Sequence, residues 1–94
     1  MGPPGGPLTL VVNPAATRVH TGVLDAVVAA LATEREVEVR PSRAPGDAAR
    51  IAVDAARDGA GLVVALGGDG TVAEVAGALA GMGCPMAPLP GGST

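Results

Sequence analysis

The sequence has no phenylalanine, tyrosine, tryptophan or lysine, and only one cysteine and one histidine among its 94 residues. Without aromatic rings, a core must be built from Val, Leu, Ile and a large share of Ala. Such a core is thin, and a domain this short is marginal in stability. A single cysteine excludes an intrachain disulfide framework and fits a reducing compartment. Cys84, in "GMGCP", has no metal-ligand spacing around it and reads as a buried thiol. All six basic residues are Arg, against nine acidic ones, for a net charge of −3. No basic cluster is present, which argues against a nucleic-acid footprint. The start, "MGPPGGPLTLVVNP", lacks the basic residue of a secretion signal, and its apolar run is only Leu8 to Val12. Val75 to Thr94 carries no charge, but Pro85, Pro88 and Pro90 with Gly77, Gly81 and Gly83 break any continuous helix that could span a membrane. The cytoplasm is the expected compartment.

Residues 1–7, "MGPPGGP", read as a flexible leader before one domain. "LTLVV" (Leu8–Val12) is a short continuous apolar run and predicts a buried strand. Val23, Leu24, Val27, Val28 and Leu31 then fall on one helical stripe. "EVEVR" (Glu36–Arg40) alternates strictly, as an edge strand does. Asp47 to Asp58 predicts an amphipathic helix whose charges form a solvated face. "LVVAL" (Leu62–Leu66) predicts a second buried strand. Val72, Val75, Ala76 and Leu79 predict a third helix, and Met86–Leu89 a last strand containing Pro88. The order β-α-β-α-β-α-β predicts an α/β fold, an open, doubly wound, Rossmann-like parallel sheet, with strand order 2-1-3-4. "NPAAT", "PSRAPG", "GGDGT" and "PGGST" each follow a strand and so lie along the carboxyl edge, where such sheets bind ligands.

"LGGDGT" (Leu66–Thr71) is the most informative of these stretches. Asp-Gly favours a hairpin turn, but the helical spacing of "TVAEVAGAL" leaves no returning strand. Gly68, Gly70 and Ala73 fit the dinucleotide pattern G-x-G-x-x-G/A, yet no acid occurs after Glu74 to hold a ribose. A P-loop requires a lysine, and there is none. What remains is a strand–glycine loop–helix unit. Gly67, Gly68 and Gly70 can take positive φ and leave the backbone bare, so that their N–H groups can point at a phosphate, aided by the helix N-terminus. Thr71 and Glu74 have capping-box spacing, and Thr71 could also offer its hydroxyl to phosphate. Asp69 beside phosphate suits either a Mg²⁺ ligand, with the metal bridging acid and phosphate, or a general base for an attacking hydroxyl. A turn-forming Asp bonded to its own backbone is the structural alternative.

"VVNP", "GGDGTVAEV" and "LPGGST" together resemble the catalytic domain of the diacylglycerol kinase family, which includes bacterial lipid kinases and sphingosine and ceramide kinases. "GGDG" is shared more distantly with NAD kinases and phosphofructokinases. The resemblance covers Leu8 to Thr94. It implies an ATP- and Mg²⁺-dependent kinase that phosphorylates a lipid hydroxyl, with a role in lipid metabolism such as phospholipid biosynthesis. Carried over residue by residue, ATP would contact Asn13, Pro14, Ala15, Ala16 and Thr17, then Ser42, then Gly67, Gly68, Asp69, Gly70, Thr71 and Glu74, and finally Gly92 and Ser93. The catalytic role, with metal binding, falls to Asp69.

This chain departs from the family pattern at "NPAATR", which lacks the usual Ser and Gly, and at Ala73, where the family usually has Asn. Arg18 stands near the expected basic residue, and Arg18, Arg40 and Arg43 all lie near the carboxyl edge, placed to neutralise phosphates. His20 has no visible partner and reads as an exposed residue near a helix start. Family chains continue past Gly-Ser-Thr into a β-rich domain that takes the lipid. Residues 8–94 are therefore expected to form the N-terminal, ATP-binding part of such a kinase, inactive by itself, with any peripheral membrane contact belonging to the full-length protein. An NAD kinase-like enzyme and a non-catalytic nucleotide-binding module are the alternatives.

Overall fold

The computed structural model describes residues 6–13, 21–33 and 35–90, with the side chains of 21–24 and 90 left aside. The elements run β1 (Leu8–Val12), α1 (Thr21–Ala32), β2 (Val37–Pro41), α2 (Asp47–Arg57), β3 (Leu62–Gly67), α3 (Asp69–Leu79) and β4 (Met86–Pro90). All strands are parallel in one sheet of order β2-β1-β3-β4, as the sequence pattern predicts. Val12 stands opposite Pro41 on one side and Leu66 on the other, and Gly67 opposite Pro90, so the four strands end together.

Period-2 alternation divides the strands between two apolar layers. Leu8, Leu10, Val12, Val64 and Leu66 point to one face, where Val27, Val28 and Leu31 of α1 cover them. Val11, Val63 and Ala65 point to the other, where Ala48, Ile51, Ala52 and Ala55 of α2 and Val75 and Leu79 of α3 meet them. The buried positions of α2 repeat at i, i+3, i+4 and i+7, which is the stripe an amphipathic helix presents to a sheet. Right-handed crossovers require this partition: the chain steps one way from β1 to β2, then the other way from β2 to β3 to β4.

The ends of the elements have local causes. α2 stops in a Schellman motif: Ala60 N–H donates to Ala55 C=O (3.0 Å) and Gly59 N–H to Ala56 C=O (3.2 Å). Gly59 carries φ +91, the left-handed conformation this cap needs. β4 holds Pro88 and Pro90 because it stands at an edge of the described sheet, where a missing N–H breaks no ladder. β2, at the other edge, leaves Val39 39% exposed. Pro7 C=O accepts from Gly61 N–H (2.9 Å), so the last part of the expected leader contacts the domain, whereas residues 1–5 lie outside the described residues.

Candidate nucleotide site at the carboxyl edge

β1 leads into Asn13, β2 into Ser42 and β3 into Gly68, so the strand ends place three loops side by side. Backbone hydrogen bonds continue the ladder past the strands: Asn13 N–H donates to Leu66 C=O (3.3 Å) and Ser42 N–H to Val12 C=O (2.7 Å). A cavity of about 250 Å³ opens there, lined by Asn13, Ser42, Arg43, Ala44, Pro45 and Glu74. Ser42 is otherwise buried, at 5% exposure, and Arg43 is exposed.

The glycine loop is tighter than its sequence suggests. α3 begins at Asp69, with Gly68 as its N-cap at φ −80, ψ −176, and among the described residues no side chain caps it. Gly67, Gly68 and Gly70 do not use the positive φ open to them, because strand passes into helix with a single extended residue between them. What these glycines contribute is the missing Cβ. At Gly68 and Gly70 a Cβ would meet nothing within 4 Å, so the first turn of α3 offers its backbone to solvent unshielded. At Gly67 a Cβ would come within 2.9 Å of Thr71 Cβ and Oγ1, so only glycine lets the buried Thr71 pack there.

The capping box is overturned. With the helix starting at Asp69, Thr71 lies inside its first turn and cannot be the N-cap. Its Oγ1 instead accepts from Asn13 Nδ2 (3.2 Å), tying the loop after β1 to α3. Glu74 caps a different helix: its Oε2 accepts from Ala49 N–H (2.9 Å) in the first turn of α2. This link spans 25 residues and could not be read from local spacing. Asp47 accepts from the backbone N–H of Arg43 (2.9 Å), which holds the cavity wall to the same turn. That hydrogen bond first, and the Arg50 guanidinium second, keep the Asp47 carboxyl below its ordinary value.

Asp69 is exposed at the mouth of α3, as its first residue, five positions before Glu74. Among the described residues no group of three or more His, Cys, Asp or Glu could hold a metal ion by itself. Asn13, Ser42, Gly67, Gly68, Asp69, Gly70, Thr71 and Glu74 thus gather at one edge, and Arg40 is the penultimate residue of β2. Pro14, Ala15, Ala16, Thr17, Arg18, His20, Gly92 and Ser93 lie outside the described residues. Ala44 and Pro45 belong to the "PSRAPG" loop expected at this edge, whereas the Ala49 N–H joins the region unanticipated, because a backbone group carries no sequence signal of a site.

Comparison with known proteins points the same way. Diacylglycerol kinase structures from Bacillus anthracis str. Sterne superpose with a TM-score of 0.79 at 31% sequence identity, covering 93% of this chain. The chain spans 33% and 31% of the length of two of them. A YegS-like lipid kinase of Cronobacter sakazakii is 56% identical over 46 residues, which make up 49% of this chain and 15% of that protein. The family model for the diacylglycerol kinase catalytic domain matches residues 7–94, and with the parallel sheet and the glycine turn at its carboxyl edge this establishes that the chain belongs to the diacylglycerol kinase catalytic domain family.

Proposed function

We propose that the chain supplies the ATP-binding part of a lipid kinase, with the phosphates at the open amino-terminus of α3. The observation that carries this reading is the contrast between two helix starts on one edge. In the first turn of α2 the Ala49 N–H is taken by the Glu74 carboxylate, whereas among the described residues no side chain caps the first turn of α3, and Gly68 and Gly70 carry no Cβ there. Free N–H groups and the positive end of the helix dipole favour an anion there.

The neighbouring cavity, about 250 Å³, is smaller than a pocket that encloses a whole nucleotide. ATP would therefore be shared between the cavity and the α3 turn. Asn13 and Ser42 offer polar contacts in the cavity, and Arg43 offers charge against phosphate. Exposed Asp69 fits Mg²⁺ that arrives with the nucleotide, since this ion is held by one or two carboxylates together with phosphate oxygens and water. When bound, Mg²⁺ would offset phosphate charge during phosphoryl transfer. The alternative role of Asp69 is to accept the proton of the attacking hydroxyl. The acceptor we infer from the family is a lipid hydroxyl, and Pro14–Thr17, Gly92 and Ser93 are proposed as further nucleotide contacts on the same ground.

Calorimetric titration of the chain with ATP, with magnesium and with EDTA, tests the reading. Magnesium-dependent binding that weakens in Asp69→Asn is the expected result. Absence of ATP binding by the folded wild-type chain would sink the proposal. Equal binding by Asp69→Asn would remove the metal role and leave only the proton-acceptor role.

A further inference from the structure

Glu74 is a wall residue of the cavity, yet one of its oxygens is engaged within the protein. A carboxylate can only accept hydrogen bonds, and its charge opposes phosphate, so it is poorly suited to hold the anionic end of ATP. Its partner, the Ala49 N–H, belongs to the turn that also carries Asp47, and Asp47 holds the Arg43 N–H. Asp47 N–H in turn donates to Ala44 C=O (3.0 Å). The cavity wall from Ser42 to Pro45 is thus joined to α2, and α2 is joined to α3 through Glu74. The Thr71–Asn13 hydrogen bond joins α3 to the loop after β1.

Resting on the ATP-binding reading, we propose that Glu74 is a positioning residue: through Ala49 it sets the 42–45 wall at a fixed place relative to the open turn of α3. The two halves of the nucleotide site would then be registered by one hydrogen bond between helices. Groups that hold a binding wall in place govern affinity without touching the ligand.

The test compares wild type, Glu74→Gln and Glu74→Ala, each as the 94-residue chain, well below its unfolding temperature. Two quantities are read: amide hydrogen exchange at residues 43–49 by NMR, and the dissociation constant for Mg–ATP. Glu74→Ala should speed exchange at Ala49 and weaken ATP binding about tenfold, the loss expected when a hydrogen bond to a charged group goes. Glu74→Gln keeps an acceptor oxygen in place and should restore most of both. A role in stability alone would lower the melting temperature of Glu74→Ala without moving the dissociation constant, and that result overturns the proposal. So does a Glu74→Gln that binds as weakly as Glu74→Ala while Ala49 stays protected, because the charge would then be acting on the nucleotide directly. If Glu74→Ala does not fold, Glu74→Asp, which keeps the charge but shortens the reach to Ala49, takes its place: faster exchange at Ala49 with weaker ATP binding is expected, and faster exchange with unchanged binding overturns the proposal. A wild-type chain that binds no ATP sinks the functional reading itself, an outcome separate from a binding wild type whose variants match it.

Discussion

A methyl group at Gly67 would lie 2.9 Å from Thr71 Cβ and Oγ1, and Thr71, at 4% exposure, has nowhere to turn. Gly67→Ala should therefore destabilise the fold by about 1–3 kcal/mol through overpacking, measured as a lowered midpoint in urea. Thr71→Val keeps the shape but removes the acceptor for Asn13 Nδ2. It should cost about 1 kcal/mol, and Thr71→Ser, which retains the hydroxyl, should cost less. Cys84 obeys a different rule. It is half-buried, with Sγ near Ala60 C=O at 3.6 Å, and burial pushes its thiol above the ordinary value. Less thiolate exists near neutral pH, so alkylation by iodoacetamide at pH 8 should be slower than for the same chain in denaturant. Equal rates would contradict the burial argument.

At the scale of elements, the amino-terminus of α2 is the most heavily bonded place in the candidate site. Asp47 accepts from the Arg43 N–H and pairs with Arg50, and both partners favour its charged form. The folded-state pKa is depressed, so the unfolded chain takes up this proton first as the solution is acidified. The stabilisation from Asp47 is complete above its unfolded value, about 4, and is lost as pH falls through the lower folded value. Asp47→Asn should therefore melt below wild type at pH 6, with the gap narrowing as pH falls below about 4. Thermal scans across that range read it directly, and a gap independent of pH would contradict the assignment. Element types and order were legible because the strands are short apolar runs and α2 repeats its Ala and Ile at helical spacing. The start of α3 was misplaced for a physical reason. Thr71 and Glu74 match a capping box in sequence, but Gly68 can enter a helix directly, and the partners of both side chains lie on other elements. Spacing along one helix carries no information about such long-range partners. The gathering of Asn13, Ser42 and the glycine turn was legible, since parallel topology alone brings strand ends to one edge.

For the molecule as a whole, the sheet rather than any one helix holds the two apolar layers together. Among the described residues β1 and β3 are the inner strands, and their side chains alternate between both layers. With no aromatic side chain anywhere in the sequence, each layer relies on a few branched aliphatics, and small Ala residues let α2 come close to the sheet. Leu10 is fully buried on β1, between the paired strands β2 and β3. Leu10→Ala removes a large part of the α1-side layer and should cost about 2–5 kcal/mol. A domain of this size has a total stability on the order of 5 kcal/mol, so this variant should be largely unfolded or close to it. Val39, by contrast, is 39% exposed on the edge strand β2. Val39→Ala should change stability by less than about 1 kcal/mol, in the range of partly exposed surface sites. Urea unfolding of the two variants, followed by far-ultraviolet circular dichroism, sets the values side by side. If Val39→Ala proves as damaging as Leu10→Ala, the edge of β2 contributes to stability far beyond what its exposure allows, and the division into a load-sharing centre and a tolerant margin is wrong.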